Sequence, residues 1–163
     1  MALTAPVRYS MRQRSPEEIN SYPVRNAMVI YYGALVGLDT VNIGLGRLVN
    51  WNDNSGMLRF CGIAIPRGDR DNPQSVTGNS AGTVKCEVYE GGGTLENVTV
   101  TGLTALLGLG DPVYASDENT FTLTATPNVG AVGRVVRYIS SPKGDVQLYS
   151  AMEYAANQNF GKV

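Results

Sequence analysis

Three glutamates flank a run of three glycines: Glu87 and Glu90 precede Gly91-Gly92-Gly93, and Glu96 follows it. Across a hairpin such carboxylates could face each other as acid and base do in glycoside hydrolysis. Nothing in the flanking sequence marks a cleft, so they are read as exposed strand charges. Asp53, Asn54, Asp69, Asp71 and Asn72 offer hard oxygen ligands for calcium but depart from the spacing of a dedicated loop, and are read as solvated turn residues. Gly44-Leu45-Gly46 lacks the third glycine of a dinucleotide fingerprint. Gly78-Asn79-Ser80-Ala81-Gly82-Thr83 has no lysine before its threonine and leads into a strand pattern, unlike a phosphate loop. The chain contains no histidine, which excludes Ser-His-Asp and Cys-His nucleophiles and the common zinc sites. Cys61 and Cys86 sit in apolar runs and are read as reduced, buried thiols, with a cross-strand disulfide as the alternative. No catalytic, cofactor-binding or metal-ligating residue is assigned, and no cofactor is expected.

The elements that carry these residues read as strands. Glycine is abundant, with 19 in 163 residues, and charged residues make up 17% against a usual ~25%, which favours β structure with many turns. Short runs with strand character recur at 27–32, 47–50, 58–65, 83–90, 95–100, 113–115, 120–124, 133–139 and 146–149, separated by Gly, Asn, Asp and Pro. The clearest is 83–90, where Val84, Cys86 and Val88 alternate with Lys85, Glu87 and Tyr89. The Gly91–Gly93 run, Asp117-Glu118-Asn119 and Ser141-Pro142-Lys143-Gly144-Asp145 are read as hairpin turns. This is an all-β chain of one domain, a compact sandwich or barrel spanning 23–149.

Two terminal segments fall outside that pattern. Residues 1–22 carry Arg8, Arg12 and Arg14, with Pro6, Tyr9 and Pro16 and no sustained periodicity. Extended at ~3.3 Å per residue, such an arm reaches up to about 70 Å, farther than the domain is wide. It is read as a strap that orders on another subunit and pairs its arginines with carboxylates there, with a disordered tail as the alternative. Residues 150–163 form a short tail with two helical turns, whose Met152, Tyr154 and Phe160 have no evident core left to join. Between strands, the polar excursion 67–82 offers Arg67, Asp69, Arg70 and Asp71 as a contact loop.

Net charge is −1, from 13 basic and 14 acidic side chains, so neither nucleic acid nor an anionic membrane is indicated as partner. No apolar run approaches the ~18 residues that span a bilayer. The N-terminus lacks the apolar core of a signal peptide, so a soluble product made in the cytosol is expected.

Tyr22-Pro23-Val24, the run from Val29 to Leu38 (VIYYGALVGL), and the run from Gly56 to Ala64 (GMLRFCGIA) resemble, in order and spacing, the opening of the small capsid cement, or head decoration, proteins of tailed bacteriophages. Leu103-Thr104, the run from Gly110 to Asp117, the strand at 120–124 and the run from Val129 to Val136 are similar to that family's closing segments. The resemblance covers about residues 22–149. It implies a small antiparallel β-barrel or β-tulip, a homotrimer on the outer surface of an icosahedral head, the major capsid protein as partner, and no enzymatic activity. A protein made in the host cytoplasm and carried on the outer capsid surface of the virion follows from that role.

Physical reasoning adds the contacts. A cement protein gains avidity from many modest contacts repeated through an oligomer. Arg8, Tyr9, Arg12 and Arg14 of the arm are the expected capsid contacts, and Trp51 is the expected surface aromatic. The alternative is a small domain that binds a polysaccharide or host receptor through Trp51, Tyr89 and Tyr114 as a stacking platform.

Overall fold

The computed structural model describes residues 5–7, 9–13, 18–40, 46–51, 58–65, 75–105, 108–125 and 130–160. In chain order the strands are β1 (Met11–Gln13), β2 (Ile19–Pro23), β3 (Val29–Tyr31), β4 (Leu35–Asp39), β5 (Leu48–Asn50), β6 (Leu58–Ala64), β7 (Ser75–Thr77), β8 (Lys85–Tyr89), β9 (Gly93–Thr101), β10 (Pro112–Ala115), β11 (Phe121–Thr122), β12 (Gly133–Ser140) and β13 (Lys143–Leu148), followed by one helix, α1 (Ala151–Phe160). The expected all-β barrel architecture is present.

The second half of the chain forms the barrel. β9, β11, β10, β12 and β13 neighbour one another in that order, and β13 pairs back onto β9, so the ring closes. Closure leaves few backbone groups of these short strands open to edge pairing. Its pairings are antiparallel except β11 with β9, which run parallel. The first half forms a five-stranded antiparallel sheet in the order β2-β8-β6-β4-β5. Val24, just past β2, bridges to Leu48 of β5, so this sheet also curls round on itself. A two-stranded ribbon of β3 and β7 lies beside it.

The alternation of β8 holds over most of the strand, with Cys86 and Val88 buried and Lys85 exposed, and breaks at Tyr89, which is buried instead of lying on the polar face. β4, β5 and β6 are different, because each faces apolar neighbours on both sides. Leu35, Val49, Phe60 and Ile63 join one core with barrel residues such as Leu95, Val100, Val113 and Val146. Val36, Leu48, Cys61 and Ala64 join a second core with Val24, Ile30, Cys86 and Val88. Double burial removes the period-2 signature. That is why β4, a run of Leu-Val-Gly-Leu-Asp, carries no strand signal of its own. β7 lies inside the segment read as a polar loop and is hidden for the opposite reason, being short and mostly exposed.

Three expectations are corrected here. Gly91-Gly92-Gly93 does not close a hairpin: β8 belongs to the curled sheet and β9 to the barrel, so the glycines carry the chain from one to the other. Gly92 needs its freedom there, with φ +65° and Leu148 O 2.8 Å from where a Cβ would lie. Trp51 is no surface aromatic; it is 3% exposed and its indole N–H donates to Ala115 O at 3.2 Å. Nor does the tail lack a core to join. Tyr154 is buried edge-on to Trp51, with ring centres 6.0 Å apart, and 5.6 Å from the Phe60 ring. Ser150 and Glu153 bond reciprocally at the start of α1, Glu153 N–H to Ser150 Oγ and Ser150 N–H to Glu153 Oε2. This capping box fixes where the helix starts, which sets Tyr154 over the core.

Candidate functional site

The N-terminal strap differs most from its sequence reading. Its described residues lie on the chain's own two halves. Val7 N–H donates to Tyr32 O at 2.9 Å, beside Gly33, in the connection between β3 and β4. Tyr9 then packs edge-on against Phe121 of the barrel, ring centres 6.2 Å apart. Burial, together with the charges of Asp117 and Glu118, pushes its hydroxyl up to about 12. Ser10 O accepts from Glu96 N–H at 2.8 Å, and β1 continues antiparallel along β9. Further on, Glu18 O accepts from Glu90 N–H and β2 pairs with β8 of the curled sheet. The strap therefore stitches sheet, barrel and sheet in succession. The physical reason is local: the start of β9 has one side on β13 and offers the other to a strand, and β1 takes it.

Arg12 is fixed by the same seam. Its Nε lies 2.8 Å from Glu96 Oε1, and Ser10 Oγ donates to Glu96 Oε2 at 2.7 Å. Its Nη2 lies 3.9 Å from Asp145 Oδ2, a carboxylate only 1% exposed. Arg137 Nε approaches the same oxygen at 3.0 Å. Asp145 Oδ1 accepts from Asn97 N–H at 2.9 Å. Nearby, Arg134 holds Gln147 Oε1 through Nε and Nη2 at 3.1 and 2.9 Å. Sequence reading assigned Asp145 to a turn and missed Arg134 and Arg137. Their place at one face follows from register across β12 and β13, which no single run of sequence displays.

The other expected sites resolve as follows. Of the proposed arm contacts, Tyr9 and Arg12 are engaged within the chain, and Arg8 and Arg14 lie outside the described residues, as do Arg67, Asp69, Arg70 and Asp71. Asp53, Asn54 and Asn72 of the calcium reading also lie outside them. Among the described residues no cluster of three His, Cys, Asp or Glu side chains could hold a metal. The carboxylates near the triglycine are separated rather than paired: Glu96 is held by Arg12 and Ser10, while Glu90 accepts from the Tyr22 hydroxyl and the Asn20 amide. The glycine-bearing turn at 78–83 is closed by Asn79 on Thr83 and turns the carbonyls of Asn79 and Ser80 to Arg47, the opposite polarity to a phosphate cradle. The stacking platform is absent, since Trp51 and Tyr89 are buried. Both thiols are free and buried.

Two open depressions lie among the described residues. One, of about 310 Å³, lies beside the strap at Tyr9, Ser10, Glu96, Asn97, Asn119 and Lys143. The other, of about 350 Å³, lies between the barrel and α1 at Arg134, Gln147, Tyr149, Glu153, Ala156 and Asn157. Neither gathers a nucleophile with a base.

No protein-family model matches the sequence, and no curated protein matches it. Among solved structures, a chain of "The capsid of Myoviridae Phage XM1" is similar with a TM-score of 0.51 over 91% of this chain and 94% of that chain, at 15% sequence identity. At that identity the likeness is one of fold, and it extends over nearly the whole of both chains.

Proposed function

We propose that this chain is a non-enzymatic structural protein of a phage virion that binds the outer surface of the head and cements neighbouring capsomers. The observation that carries the proposal is the fold shared, over nearly its full length, with a chain of a phage capsid structure. The surface supports it: shallow depressions, barrel edges closed by pairing, and a strap that braces two halves of the chain into one unit. Such a rigid unit loses little entropy when it docks, so modest contacts repeated over a lattice suffice.

In this reading the partner is the major capsid protein and the working form is a homotrimer. Arg8 and Arg14 of the strap, with Arg67, Asp69, Arg70 and Asp71, supply contacts alongside Arg12. The test is co-sedimentation of the purified chain with heads that lack it, alongside light scattering of the chain alone. Binding to heads by a species of three times the chain mass is expected. A monomer that stays in the supernatant overturns the proposal.

A further inference from the structure

Three exposed arginines share one outer face of the barrel. Strand register puts Arg134 of β12 opposite Gln147 of β13, Gln147 opposite Thr94 of β9, and Thr94 opposite Arg12 of β1. This row crosses four neighbouring strands, about 14 Å at ~4.8 Å per strand spacing. Arg137, opposite Asp145, stands in the next row.

The face is built rather than incidental. The β12–β13 pairing shifts register between Val135 and Arg137, and the β13–β9 pairing shifts between Gly144 and Val146, so two irregularities meet at Asp145. Such bulges re-aim side chains. On β9, Asn97 takes φ +54°, and its N–H donates to Asp145 Oδ1. A left-handed residue and a buried carboxylate are both unfavourable unless the surroundings require them. Here they set a single negative charge beneath two guanidinium groups whose side chains are 67% and 65% exposed. Asp145 Oδ2 pairs with them by charge without an aligned N–H hydrogen bond. Arg12 commits its Nε to Glu96; its Nη donors and those of Arg137 remain available to an incoming group, as does the edge of Arg134 that Gln147 leaves uncovered.

We propose that this face, with Arg12, Arg134 and Arg137 as its donors and Asp145 as their positioning residue, docks a carboxylate-bearing segment of a partner protein. The proposal rests on the head-binding reading and names the chemistry of the surface that reading requires. Planar guanidinium groups suit carboxylates, which they grip two-pronged. Nucleic acid fits less well, because the half-buried carboxylate of Glu96 lies within the array and would repel a continuous line of phosphates.

The test compares the full chain with an Arg134→Gln/Arg137→Gln variant in binding to heads that lack the protein, to poly-L-glutamate, and to duplex DNA, each at low and high salt. Expected is a loss of about tenfold or more in head and polyglutamate binding by the variant, with a somewhat lowered melting temperature but a native fold at the assay temperature, salt-sensitive wild-type binding, and DNA bound more weakly than polyglutamate. Undiminished head binding by the variant overturns the docking face and leaves the head-binding reading intact. If the wild type ignores heads, the head-binding reading fails; arginine-dependent polyglutamate binding then still supports the face, and its absence overturns it. DNA bound as tightly as polyglutamate overturns the choice of carboxylates, as does head binding lost in the variant while polyglutamate is ignored by the wild type. A change of oligomeric mass in the variant assigns the face to contacts between copies and overturns the proposal.

Discussion

Val7 and Tyr32, far apart in the chain, are joined by a 2.9 Å hydrogen bond from the Val7 amide to the Tyr32 carbonyl, the first stitch of the N-terminal strap. The stitch depends on the glycine that follows Tyr32. Gly33 has φ +86°, and a Cβ there would lie 1.9 Å from the Val7 carbonyl oxygen. Gly33→Ala is therefore expected to lift the strap and destabilise the fold by roughly 1–3 kcal/mol. Hydrogen exchange should show the amides of Val7 and β1 losing protection before the barrel does. Unchanged protection at those amides would refute the strap's dependence on this contact.

Trp51 is the chain's only tryptophan, so its fluorescence reports the core directly. Its packing against Phe60 and Tyr154 predicts blue-shifted emission in the native protein. Truncation after Ser150 removes Tyr154 and should shift the emission to the red. Trp51→Ala should cost about 3–5 kcal/mol in urea unfolding. Native emission at the wavelength of the unfolded chain would contradict burial.

Much of the fold was legible because its strands alternate or end in turn residues: 133–139 anticipates β12 of the barrel, and 83–90 contains β8 of the curled sheet. What was hidden lies where tertiary contact replaces pattern. β4 is covered on both faces, so its sequence is simply apolar. β1 and β2 are polar segments that become strands because β9 and β8 offer them partners. Trp51 follows a short strand and precedes polar residues, so composition suggested a surface position, yet its neighbours in space come from β6 and α1. The candidate face was the least legible part, since Arg137 meets Asp145 only through two register shifts.

Alkaline pH should weaken the fold through its two buried thiols. Burial, as the largest cause, pushes both Cys61 and Cys86 from an ordinary 9.0 up to about 12. Between those values the unfolded chain releases protons that the folded chain keeps, so stability falls as pH rises. The stability these neutral thiols contribute is fully present below about pH 9 and is lost as pH climbs towards 12. Urea midpoints measured from pH 8 to 11 should decline, and the Cys61→Ala/Cys86→Ala variant should show a shallower decline relative to its own value at pH 8. Parallel declines in both proteins would exclude the thiols as the cause.

Arg12 and its buried partner Asp145 should behave unequally when each is removed. Arg12→Ala loses an exposed pairing and is expected to cost less than about 1 kcal/mol. Asp145→Ala removes the acceptor of the Asn97 backbone amide and the buried charge between two arginines, so about 1–3 kcal/mol is expected. Thermal unfolding of the two variants side by side checks the order. Equal losses would mean that Asp145 does not organise the face.

The most direct test of a head-binding role is to add the purified chain to heads assembled without it and follow both sedimentation and the temperature at which the heads release their DNA. The account predicts saturable co-sedimentation and a higher release temperature. A chain that remains in the supernatant, with release unchanged at saturating concentration, contradicts it.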